Sequence, residues 1–191
     1  MNFLRTALSL ALALFLAAAP TGCATAQGNN AFEKRADARQ MRSETLDAFF
    51  AKNPQMRQVL ASAPGYGVFS AVSTQTIFVS SGNGFGIIHD NRTKADTFMR
   101  ALKLGGGLGV GIQDIRAIVV FHDARVMNDV LQHGWGVTGK AEAAAKVSGT
   151  GDSGAVVVTL PGMSIYRFTQ QGVMVGGALE GAKVWKDEEL N

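Results

Sequence analysis

The chain has one cysteine, Cys23, which excludes an intramolecular disulfide and with it the small folds that depend on such staples. It has only four prolines and no Pro- or Ser-rich stretch, so no linker divides it, and no internal repeat is visible; one domain with its own core is expected. A basic excess is also missing. Leaving aside the segment before Cys23, which contributes Arg5 alone, 17 cations face 15 anions, and this near-neutrality argues against a nucleic-acid binder.

Catalytic and cofactor signatures are absent or incomplete. "GWGVTGKA", Gly134 to Ala141, has the glycine and lysine spacing of a phosphate-binding loop, but Ala141 stands where a hydroxyl must hold Mg²⁺. The preceding residues read as a helix, not the required strand. Asp123 is a fitting N-cap, Val126, Met127, Val130 and Leu131 share a face, and Gly134 suits the helix stop. No nucleotide or other cofactor is expected. Gly151-Asp152-Ser153-Gly154 looks like a serine-protease nucleophile box, yet Ala155 replaces the second glycine and no partner histidine segment lies upstream. Two His-Asp pairs, His89-Asp90 and His122-Asp123, with His133, match no zinc spacing and are explained by turn and cap chemistry. Neither a metal site nor an enzyme is expected.

What is present begins with an export signal. One early cation, an apolar run from Ala7 to Ala19 and then small residues form a secretory signal, not a membrane span. "PTGC" places Cys23 directly after Gly22 in the manner of a bacterial lipobox, although Pro20 stands where leucine is usual, and Ala24-Thr25-Ala26 offers an ordinary cut that would discard Cys23 and leave a soluble periplasmic protein. A lone cysteine in an oxidising compartment favours lipidation. The expected organisation is a lipoprotein signal peptide over 1–22, a polar tether over 23–30, and a single domain over 31–191.

"AFEKRADARQMRSETLDAFFAKNPQMRQVLASAPG" reads as a helix interrupted once, with Asn53 capping and Pro54 starting its second part. Leu46, Phe49 and Phe50 form one apolar stripe; Met56, Val59, Leu60 and Ala63 form another. Arg35, Arg39 and Arg42 make this region mildly basic, for which a solvated helix face competes with lipid-headgroup contact. From Gly65 the character changes, since 21 of the 23 glycines lie between Gly65 and Gly181 among valine, isoleucine and phenylalanine. Seven strand candidates follow: "GYGVFSAV", "QTIFVSSGNGFGIIHD", "TFMRALKLGGGLGVGIQ", "IRAIVVFHD", "GAVVVTL", "SIYRFTQ" and "GVMVGGALEGAKVW". Helices followed by strands make this an α+β chain. Gly82, Gly84 and Gly86 share one strand face, as do Gly105, Gly107, Gly109 and Gly111. Strong coiling with close backbone approach is favoured over a flat ligand groove.

The ordered segments "APGYGVFSAV", "GGGLGVGIQ", "AIVVFHD", a helix, and "GVMVGGALEGAKVWKDEELN" together resemble the SYLF lipid-binding family in its short bacterial lipoprotein branch, over about Asn53 to Asn191. Gly65 to Phe69, Gly111 to Gln113, Leu179 to Gly181 and Asn191 match recurring features of that family; the terminal Tyr-Tyr-Gly of eukaryotic members is missing. The resemblance implies a strongly curved, Gly-rich antiparallel sheet, half-barrel-like and packed with helices. It also implies lipid binding in place of catalysis, though the less basic helix argues against carrying over phosphoinositide specificity. A tethered exported domain would meet anionic phospholipid. Candidate headgroup residues are Lys140, Lys146, Lys183 and Lys186, with Arg35, Arg39 and Arg42; Trp185 is a candidate interfacial anchor, with a packing role as its rival. Ala24 after the cysteine favours the periplasmic face of the outer membrane, by analogy with other bacterial lipoproteins. The alternative is a structural or interaction protein that binds an envelope protein, with glycine-rich strands offering an edge.

Overall fold

In the computed structural model, the residues described are 25–76, 79–137, 146–148 and 156–191. Helix α1 spans Ala31–Lys52. It starts where Asn30 Oδ1 accepts a hydrogen bond from Glu33 N (3.0 Å) while Glu33 receives hydrogen bonds from Asn30 Nδ2 and Asn29 N, a reciprocal cap that satisfies several orphan donors. It ends where both the backbone N and Nδ2 of Asn53 donate to Phe49 O. Asn53 therefore closes the first helix, and the second, α2, runs Met56–Ser62 behind Gln55, two residues later than the Pro54 start expected. The expected tether also differs, because its described part is docked. Ala26 is buried beside Ala38 and Ile87, and Gln27 N donates to Asp37 Oδ2 (2.8 Å).

The strands are β1 (Gly65–Thr76), β2 (Val79–Asp90), β3 (Asp96–Phe121), β4 (Trp135–Val137), β5 (Lys146–Ser148), β6 (Val156–Leu160) and β7 (Met163–Lys186), with α3 (Ala124–His133) between β3 and β4. Two expected pairs of strands are each one long strand. "TFMRALKLGGGLGVGIQ" and "IRAIVVFHD" merge into β3, while "SIYRFTQ" and "GVMVGGALEGAKVW" merge into β7. All pairings are antiparallel. The order is β1-β2-β3-β7-β6-β5, with β4 on β7 and β1 also on β3.

That last pairing sets the shape. The first part of β3 pairs with β2, from Asp96↔His89 to Gly106↔Val79, and the later part pairs with β1, from Gly111↔Gln75 to Phe121↔Gly65. The β1–β2 hairpin is thus wrapped by one bent strand, and the sheet curls into a half-barrel. Glycine permits the close approach: a Cβ on Gly84 would lie 2.6 Å from Ser70 O, and one on Gly82 the same distance from Val72 O. Along the outer edge of β3 the register passes from Asp114↔Gln171 to Ile115↔Thr169, so Gln170 is the extra residue of a bulge. The inward face of β7 consequently changes from odd positions (Met163, Ile165, Arg167) to even ones (Ala182, Val184), whereas β3 keeps odd positions throughout.

The two faces bury different cores. Helices α1 and α2 cover the outer one through Met41, Phe49, Met56 and Leu60 against Val68, Ile118 and Val120. Each such large side chain contributes about 1.5–3 kcal/mol on burial. Val59, expected in this stripe, is 38% exposed. On the inner face α3 packs Met127 and Val130 onto Phe69, Met99, Val119, Phe121 and Val184. As expected, Asp123 caps α3, its side chain accepting from Arg125 N, and Gly134 ends it at φ 74°.

Candidate functional site

Inward alternation on β1, β3 and β7 leaves an apolar lumen of about 150 Å³ inside the curl. Ile115, Ala117, Val119 and Phe121 of β3 form one wall, Met163, Ile165, Ala182 and Val184 of β7 another, and Val130 of α3 and Trp135 of β4 also line it. Among the described residues lining it, Lys103 and Arg167 alone are charged. Lys103 is buried and Arg167 is exposed. Neither was singled out from the sequence. The available signal was a cation on the otherwise small and apolar face of an alternating strand, Ala101, Lys103, Gly105, which becomes legible only once that face is known to be inward.

The outer face of the same strands carries a second feature. Lys183 sits opposite Leu102 on β3 and Gly136 on β4, with Trp185 two residues on and so on the same side. Leu102, Leu104, Trp135 and Lys183 line a shallow groove there. Leu104 is 57% exposed, Lys183 and Lys186 are exposed, and Trp185 is half-buried. Cation, amphipathic ring and exposed apolar side chain therefore share one patch.

The three α1 cations are committed differently. Arg35 Nε donates to Leu190 O (2.9 Å); Arg42 pairs with Asp96 (2.6 Å), to which Arg39 also reaches (3.4 Å) while stacking over Phe98. His89 Nδ1 lies 2.8 Å from the same Asp96 carboxylate. Burial pushes the Asp96 carboxyl up, but the hydrogen bonds from His89 and Arg42 and the guanidinium charge outweigh it, so the net shift is downward. These residues join α1 to the β2–β3 turn and the segment after β7. Lys140 and Cys23 lie outside the described residues, and Lys146 is described only as the first position of β5.

The His-Asp pairs prove to be local supports. Asp90 is bound by Arg92, whose side-chain hydrogen bond holds its carboxyl down at about 2. His122 Nε2 is 2.8 Å from Ser164 Oγ, and His133 Nδ1 is 2.9 Å from Asp129 one helical turn away. Among the described residues no group of three or more His, Cys, Asp and Glu side chains is placed to hold a metal, and no helix is long and apolar enough to cross a membrane.

No family model matches the chain. It is similar to Beta cell expansion factor A of Aeromonas veronii, 23% identical over 159 residues that cover 78% of this chain and 56% of that protein. The chain thus spans about half the length of the curated relative it matches.

Proposed function

We propose that this protein is a SYLF-like bacterial envelope lipoprotein, anchored through Cys23 at the periplasmic face of the outer membrane, whose domain binds anionic phospholipid headgroups without catalysis. The observation that carries this reading is the patch on β3, β4 and β7. Lys183 is its exposed cation, and Trp185 and Leu104 on the same face supply the amphipathic and apolar contacts that favour a membrane interface, while Lys186, also exposed, ends β7 on the alternate face. The curled sheet fits the fold that the sequence resemblance implies.

The test is co-flotation with vesicles of neutral or anionic phospholipid at low and high salt, using the chain from residue 23 with Cys23→Ser. Salt-sensitive flotation on anionic vesicles that is lost in Lys183→Glu/Lys186→Glu supports headgroup binding. Absence of flotation on every vesicle sinks it and leaves an envelope protein as the domain's ligand.

A further inference from the structure

We propose that the lumen of the half-barrel is a binding site for one single-chain carboxylate amphiphile, a fatty acid, whose alkyl tail enters the curl and whose head is held by Arg167. The site is distinct from the membrane patch, which lies on the opposite face of β3 and β7.

The volume sets the tail. A dry apolar cavity of about 150 Å³ holds a ring the size of benzene, and the lumen is of this size. That admits one alkyl chain and is too small for the two chains of a diacyl phospholipid. The long axis is read from the register. Arg167 lies opposite Ala117 and Met163 opposite Phe121, four residues along β7, which is a depth of about 13 Å at ~3.3 Å per residue. Between these levels the walls are Val119 and Ile165, and Val130 of α3 also lines the lumen.

The charge sets the head. Arg167 is an exposed lining residue, and its side chain has no ion-pair or hydrogen-bond partner among the described residues. A guanidinium presents two parallel N–H donors that match the two oxygens of one carboxylate. A phosphate dianion carries more charge than this one exposed cation answers and costs more to desolvate beside apolar walls. Lys103, buried in the β3 lining, adds positive charge to the lumen. A neutral or cationic head would gain nothing from either.

The experiment is calorimetric titration of the exported full-length chain carrying Cys23→Ser with decanoate, below its micelle concentration, with decyl phosphate, decanol and decyltrimethylammonium in parallel. Saturable one-to-one binding of decanoate, ahead of the other three, is expected. Arg167→Gln, an exposed position whose fold is checked by circular dichroism, should weaken decanoate about tenfold or more. Ala117→Trp, which fills the lumen beside Arg167, should abolish it. Both variants should still float with anionic vesicles, so the outcome separates this site from the membrane patch. Equal binding of decanoate and decyltrimethylammonium, or full affinity in Arg167→Gln, would overturn the proposal; tighter binding of decyl phosphate would overturn the carboxylate assignment.

Discussion

The side-chain amide of Asn191 is hydrogen-bonded to both backbone groups of Phe98: Nδ2 donates to Phe98 O at 2.8 Å and Oδ1 accepts from Phe98 N at 3.0 Å. Nδ2 also donates to Asp187 O (2.7 Å), and Leu190 is buried beside Phe98, Ile87 and Ala38. A side chain here does what a neighbouring strand would do for the start of β3. Asn191→Ala orphans Phe98 N, whereas Phe98 O still accepts from Asp187 N and Asp187 O from Leu190 N, and it is expected to cost about 1–3 kcal/mol, read as a lower urea midpoint. A loss under about 0.5 kcal/mol would show that water replaces the amide without penalty.

The curl itself can be tested at Gly84. A methyl group there meets Ser70 O at 2.6 Å and Ala71 Cβ at 2.8 Å, and the first of these is backbone that cannot swing away. Gly84→Ala should destabilise by about 1–3 kcal/mol, against the few tenths gained where alanine fits. Gly136→Ala is the control, since its nearest neighbour would be 3.8 Å away.

Acid sensitivity follows from the carboxylates. Asp90 is held at about 2 by Arg92 against an ordinary 3.8, and Asp96 and Asp123 are also lowered. A depressed folded value means stability that is fully present above the unfolded value and lost as pH falls through the folded one. The melting temperature should therefore hold from neutrality to about pH 5 and then fall toward about pH 2. Asp90→Asn should flatten part of that fall, because an asparagine oxygen can still accept from Arg92 N and Thr93 N.

Two sets of cations should separate by phenotype. Arg42→Gln removes a guanidinium from the half-buried Asp96 and is expected to lower stability by about 1–3 kcal/mol while leaving vesicle flotation intact. Lys183→Glu changes an exposed side chain and should weaken flotation while moving stability by less than about 0.5 kcal/mol. If Arg42→Gln abolished flotation in a folded protein, the membrane face would include α1.

Local signals were legible in the sequence where local chemistry decides structure. The Asp123 cap, the Val126-to-Leu131 face and the Gly134 stop delimit α3, and period-two glycines announced the coiled β1–β2 hairpin. Short-range reading failed where the deciding contacts are distant. It divided β3 after Gln113 and β7 near Gln171, but long antiparallel pairing with each other carries both strands through those points, with only a bulge at Gln170. It placed Arg35, Arg39 and Arg42 on a solvated or lipid-facing surface, because Asp96 and Leu190, their partners, are far along the chain.

By itself the sequence determined the helix-then-sheet order, the caps, and which strand positions dispense with a Cβ, since each depends on neighbours within a few residues and on the alternation of a strand. Tertiary structure decided which face of the sheet is the lumen, that Arg167 lines it, and which cations are spent on internal pairs. Those outcomes depend on long-range register: one extra residue at Gln170 exchanges inside and outside along β7, and only the partner strand reveals where it falls.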